Sequence, residues 1–485
     1  MRRGAWAVTA CHIASQIVSL ATLAVLYRLI SPEIFGVFAI ALLVVNFARI
    51  FANFGLGVAS VQDQDLSDEE RSALFHYGGR IAVMTAGVLG LVSIPIAWFF
   101  GEFALRDALI LPTLALPFTV VGIQHQALLE RKMLLGRLAV CRLIAQLIGS
   151  IFAIVMAYRG LGIWSLTTQF AVETTSLGVA LWIAEPWRPS DKNARNPDIS
   201  RFKKFGAAYT LSSLAFWLTQ NFDTLIVGWL GGKLAVGLYS QAFNLMMKPV
   251  LLVTTPVTAV MLPTLARSLP GSVEYRQLLV GFYRFVGLVL LPCSVGLFVL
   301  ADDVMLVLGG NQWQTAGILL RALAPVIAVQ GFINIAGSVF AAAGRADRLL
   351  AGSVVIALLL CQGIVAGWWF GVWFGPAGLG GPLGVAVAYS AVTMGVIFLP
   401  YLGFCLKTVG VPMRVLLVAL RKPAIASLLM GAAVWTTIIA IDETPLRRLI
   451  VGTVTGVTVF AFIMWRELTQ LIAKSNSEDN PTAPD

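Results

Sequence analysis

The strongest constraint on this chain is a succession of apolar runs, each long enough to cross a lipid bilayer. A helix needs about 20 apolar residues to do so, and fourteen such runs are spaced along the 485 residues. They cover 5–28, 35–60, 75–99, 108–128, 138–157, 163–184, 205–230, 235–262, 278–301, 314–341, 349–374, 383–405, 422–441 and 448–465. The runs lack the period-two alternation of barrel strands, so they are predicted to be helices. Only 12% of residues are charged, about half the share of a soluble domain. The chain is therefore expected to be an all-α polytopic membrane protein.

A hairpin of runs occurs twice. Residues 22–62 hold a run, a break at Ser31-Pro32-Glu33-Ile34-Phe35-Gly36, and a second run carrying Arg49. Residues 224–264 repeat this layout, with a break at Gly231-Gly232-Lys233, the echo Val236-Gly237-Leu238-Tyr239, and a second run carrying Lys248. Between the copies lies the polar stretch 185–204, with Pro186, Pro189, Pro197 and six basic residues. The expected organisation is a six-span lobe over 1–184, a linker over 185–204, and a second six-span lobe over 205–405. Two extra spans follow in 406–466, then a tail over 467–485. Six spans per repeat is even, so the lobes are expected to be pseudo-symmetric about an axis along the membrane normal. The tail residues Ser475–Asp485 are polar and expected to be disordered.

Lysine and arginine set the orientation. With the N-terminus inside, and counting residues just inside the adjoining helix ends with their loops, twenty-five basic residues fall on the cytoplasmic side and six outside, while Arg49, Lys248 and Arg321 lie within spans. That asymmetry predicts cytoplasmic termini. The net charge of +10 then belongs to cytoplasmic loops and does not indicate nucleic acid.

Catalytic and metal-binding patterns are missing. The sequence contains no Walker A, HExxH, G-x-S-x-G or strand-linked GxGxxG pattern. His12, His76 and His125 are far apart, and the five cysteines form no CxxC pair, so neither a metal nor a cofactor is expected. Asp302-Asp303 is expected to be a solvated helix end, and the Gly/Pro-rich stretch 375–384 a turn. External loops are short, which disfavours a membrane polymerase.

Charges inside apolar spans cost about 2.5–3.5 kcal/mol on insertion scales and mark functional candidates. Asn46, Arg49 and Asn53 sit one turn apart and share a helix face. Lys248 follows Asn244 by four residues, and Arg321 lies in the tenth run. These basic and amide groups are expected to line a cavity for an anionic cargo, with arginine suited to bidentate phosphate contacts. Glu173 and Asp223 are the acidic candidates, either pairing with Arg49 or Lys248 or carrying a coupling ion, H+ or Na+.

Several stretches resemble a known family. Leu29-Ile30-Ser31-Pro32-Glu33-Ile34-Phe35-Gly36, Phe54-Gly55-Leu56-Gly57 and Val61-Gln62 are similar to the opening of Wzx-type polysaccharide flippases. These belong to the multidrug/oligosaccharidyl-lipid/polysaccharide exporter superfamily. The likeness continues at Asn221-Phe222-Asp223, Gly228, Gly237-Leu238-Tyr239, Pro249, Leu262-Pro263-Thr264-Leu265-Ala266-Arg267 and Ala343-Gly344-Arg345-Ala346-Asp347. It covers nearly the whole chain and is closest to the succinoglycan and colanic-acid subgroup. Arg49-Ile50-Phe51-Ala52 also resembles a segment of the lipid II flippase branch, where a second-span arginine lines the cavity.

The resemblance implies a transporter of the bacterial cytoplasmic (inner) membrane. Its cargo would be an undecaprenyl-diphosphate-linked oligosaccharide repeat unit, moved by alternating access for exopolysaccharide synthesis. A polymerase and a chain-length regulator would be partners. The alternatives are a cation-coupled multidrug exporter, which should favour acidic cavity residues, and a membrane polymerase.

Overall fold

The computed structural model describes residues 2–63, 65–190, 197–441, 444–465, 467 and 469, and only the backbone of 2–7 and 346. No strand occurs among the described residues. The expected tail Ser475–Asp485 and part of the expected linker, 191–196, lie outside them. The chain divides into two compact units, Met1–Ser240 and Gln241–Asp485.

The first unit contains α1 (Arg2–Leu29), α2 (Pro32–Asn53), α3 (Leu56–Gln62), α4 (Asp68–Phe99), α5 (Ala104–Arg131), α6 (Leu135–Tyr158) and α7 (Ile163–Ala184). It also holds the first part of α8 (Ser200–Ala266), a 67-residue element broken at Gly232, where φ is 71°. Local chemistry sets the ends. Pro32 begins α2, where its missing N–H is no loss. Ser67 and Glu70 form a reciprocal capping box at the start of α4, at 3.1 and 3.0 Å. The second predicted run, 35–60, is two helices, because Phe54 and Gly55 both adopt left-handed conformations (φ 43° and 63°) that end α2.

The second unit continues α8 and adds α9 (Val273–Gly309), α10 (Gln314–Leu323), α11 (Val326–Ala342), α12 (Ala346–Phe374), α13 (Gly380–Ala391), α14 (Phe398–Thr408), α15 (Met413–Ala440) and α16 (Pro445–Ile463). The tenth run bends by 55° between α10 and α11. The carbonyls freed there find donors: Ser294 Oγ donates to Ala324 O at 2.9 Å, and Ser390 Oγ to Ala322 O at 2.6 Å. Such replacement is required wherever a helix breaks inside a membrane. The twelfth run passes from α13 to α14 through a π-helical turn, Val392–Ile397.

Each of the fourteen predicted runs thus falls on a helix or a jointed pair. Among the described residues eleven helices are long and apolar enough to cross a membrane, or twelve with the bent pair, and α8 counts once. α7 is not among them, since Thr167, Thr168, Gln169, Glu173, Thr174 and Thr175 make it too polar.

Helices in lipid gain little from apolar burial against each other and rely on close packing of small residues. At the end of α12, only part of the 375–384 stretch is a turn. α13 starts at Gly380 and lies backbone to backbone on α12: a Cβ on Gly371 would stand 1.9 Å from Gly380 O. Asp303 departs from expectation more fully. Its side chain is 8% exposed and paired with Arg448 of α16 at 2.9 Å, so this acid is a buried ion-pair partner, not a solvated helix end.

Candidate functional site

A cavity of about 880 Å³, with polar and apolar side chains in its wall, opens within the first unit. The C-terminal half of α2 supplies Asn46, Arg49 and Asn53, and α3 supplies Gln62. Gln126 and Glu130 come from the end of α5, Arg142 from the start of α6, and Tyr209 and Ser213 from α8. The paired left-handed residues explain this geometry. A Cβ on Gly55 would touch the Tyr209 ring at 2.8 Å, and one on Gly206 would stand 2.5 Å from Phe54 O. The two glycines therefore let α8 lie directly on the α2–α3 turn and bring Tyr209 to the cavity wall. Arg201 secures the approach, pairing with Asp63 at 3.1 Å and Glu70 at 2.9 Å.

Inside the cavity, Arg49 Nη1 donates to Asn46 Oδ1 at 3.4 Å, a long bond that leaves most guanidinium donors for a ligand. Asn53 Oδ1 is buried and has no hydrogen-bond partner. Gln126 Nε2 donates to Glu130 Oε1 at 2.8 Å. Glu173 on α7 interacts electrostatically with Arg49 at longer range than a salt bridge. Gly149 of α6 leaves room for Glu173, because a Cβ there would lie 3.0 Å from the Glu173 Cβ.

The other predicted residues lie elsewhere. Asp223 is buried and accepts hydrogen bonds from the Tyr239 hydroxyl at 2.8 Å and the Thr224 N–H at 2.7 Å. Lys248 is half-buried on the part of α8 that belongs to the second unit. Arg321 pairs with Asp302 across α9 and α10 in that same unit. Neither cation lines the described cavity.

Sequence reasoning missed Arg142, Gln62, Gln126, Glu130, Tyr209 and Ser213. Two signals were available. Gln126 and Glu130 have the i,i+4 spacing of a paired helix face, and Arg142 stands inside the fifth predicted run, near its cytoplasmic end.

The spans and the cavity define a multi-pass α-helical membrane protein with a two-arginine pocket in its first half. Its fold is similar to that of the lipid II flippase MurJ in an inward closed conformation. The TM-score is 0.76 at 15% identity, covering 96% of this chain and 99% of that one. The chain belongs to the polysaccharide biosynthesis protein family, whose model matches residues 25–318.

Among its relatives, the succinoglycan biosynthesis transport protein ExoT of Rhizobium meliloti (strain 1021) is 29% identical over 303 residues, 62% of this chain and 61% of the relative. The match therefore spans about three fifths of that relative's length. The lipopolysaccharide biosynthesis protein WzxC of Escherichia coli (strain K12) is 23% identical over 422 residues, 84% and 82% of the two chains.

Proposed function

We propose that this protein is a flippase that carries polyprenyl-diphosphate-linked oligosaccharide repeat units across the bacterial cytoplasmic membrane for exopolysaccharide synthesis. The observation that carries the reading is the convergence of Arg49 and Arg142 on one cavity lined with amides. Two guanidiniums match the two phosphates of the cargo, since arginine presents parallel donors to phosphate oxygens. Asn46, Asn53 and Gln62 then meet sugar hydroxyls. Unaided passage is blocked because each hydroxyl would lose its hydrogen bonds, at several kcal/mol apiece. Relatives named for succinoglycan transport and lipopolysaccharide biosynthesis support this class of cargo.

The excess of basic residues in one set of loops favours cytoplasmic termini. In that orientation the cavity residues lie in the cytoplasmic half of the first unit. The cargo enters there with its prenyl tail in lipid, and the lobes exchange access to the outside. Outward movement of negative charge gains about 2.3 kcal/mol per charge per 100 mV from an inside-negative potential. Glu173, which interacts with Arg49, is the better placed acid for a coupling ion; Asp223 is engaged by Tyr239 and Thr224. A polymerase and a chain-length regulator act downstream on the exported unit.

The reading is tested in cells lacking the gene and complemented with variants. Arg49→Gln should leave protein levels intact, stop polymer production, and accumulate lipid-linked repeat units on the inner leaflet. Normal polymer yield with Arg49→Gln and Arg142→Gln combined would remove the cavity from the transport path.

A further inference from the structure

The second unit carries a separate cluster of cations at one end of three helices. Arg421 and Lys422 of α15, with Phe462, Trp465 and Glu467 around the end of α16, line a cavity of about 680 Å³. Arg284 of α9 pairs with Glu467, and Lys422 stands 3.4 Å from the same carboxylate. Two cations thus share one acid, and Arg421 lines the same cavity. Arg421 is exposed, and Arg284 Nε is buried without a hydrogen-bond partner, so donor capacity is left over.

The depth of the cluster narrows what can fill it. Beyond Lys422, α15 runs through Pro423–Ala440 with no charged residue. That stretch rises roughly 27 Å, close to the thickness of the hydrocarbon core. Lys422 therefore marks the level at which α15 leaves the apolar layer. Trp465 ends the apolar run of α16 at the same end of the cavity, where indoles favour the headgroup region. One wall is apolar, with Phe462 85% exposed.

We infer that this cavity is a binding site for an anionic glycerophospholipid. Its phosphodiester sits among Arg284, Arg421 and Lys422, and an acyl chain runs along Phe462. Glu467 occupies part of the same cation set and competes with the phosphate. Basic pockets between membrane helices suit such headgroups, and a zwitterionic lipid lacks the net charge to displace the carboxylate.

The test uses the full chain purified in detergent, with bound lipid counted by native mass spectrometry. Dioleoyl phosphatidylglycerol should be retained about tenfold over dioleoyl phosphatidylcholine. Replacing Arg284, Arg421 and Lys422 together by glutamine should abolish that preference. Glu467→Gln keeps all three cations and should raise phosphatidylglycerol retention, whereas a purely structural ion pair predicts no gain. Glycerol 3-phosphate at equal concentration should not displace the lipid; displacement would mark a site for free phosphate and overturn the proposal. Equal retention of the two lipids, or unchanged retention in Glu467→Gln, would also overturn it.

Discussion

Gly36 and Gly237, the matching glycines of the two hairpins, face each other across the crossing of α2 with α8. A Cβ added to Gly36 would stand 1.7 Å from Lys233 O, and one added to Gly237 2.0 Å from Pro32 O. The two helices meet backbone to backbone at this point. The echo of Phe35-Gly36 in Val236-Gly237 is thus a contact between the two copies as well as a repeat in the sequence.

Substitution at this crossing should be severe. Gly36→Ala forces the backbones apart and is expected to cost at least the ~1–3 kcal/mol of an overpacked core. Gly79, whose added Cβ would meet nothing within 4 Å, provides the control. Thermal melting in detergent should fall by several degrees for Gly36→Ala and Gly237→Ala and stay unchanged for Gly79→Ala.

Lys233 also pairs with Glu102 at 2.8 Å, beside the crossing. Both side chains are partly exposed, so the pair is worth only about 0–1 kcal/mol. Glu102→Gln should shift the melting midpoint little and lose even that shift at high salt. A large drop would mean that the glycine crossing depends on the ion pair.

The buried Asp223–Tyr239 hydrogen bond joins the two ends of the α8 break. Tyr239→Phe removes a donor from a buried carboxylate, with an expected loss of roughly 1–3 kcal/mol in stability. Asp223→Asn keeps an acceptor for the hydroxyl and should be milder. Chemical denaturation of both variants checks this order.

Ser294 holds the carbonyls of Ala324 and Pro325 at the bend between α10 and α11. Ser294→Ala leaves these groups in an apolar setting and should destabilise the protein by about 1–3 kcal/mol. Ser294→Thr keeps the hydroxyl and should recover most of the loss in the same unfolding assay.

The helices were legible because apolar length is a strong local signal. What breaks the helices was less so. The bend at Pro325 and the left-handed pair Phe54-Gly55 depend on packing that no single run reveals. In the site, Asn46, Arg49 and Asn53 were readable because one helix turn places them together. Arg142 and Tyr209 reach the same cavity from α6 and α8, and only tertiary packing makes them neighbours. Arg321 carried the same signal as Arg49, a cation within an apolar run. Its partner Asp302 lies nineteen residues earlier on another helix, a separation outside any helical spacing rule.

The most direct measurement is lipid flipping in liposomes that hold the purified protein and a defined polyprenyl-diphosphate oligosaccharide, with an enzyme outside that modifies only exposed sugar heads. The wild-type protein should expose the inner-leaflet pool. Arg49→Gln and Arg142→Gln should each slow exposure at least tenfold, and the double variant should match protein-free vesicles. Equal exposure by wild-type and double-variant protein would contradict a diphosphate path through this cavity.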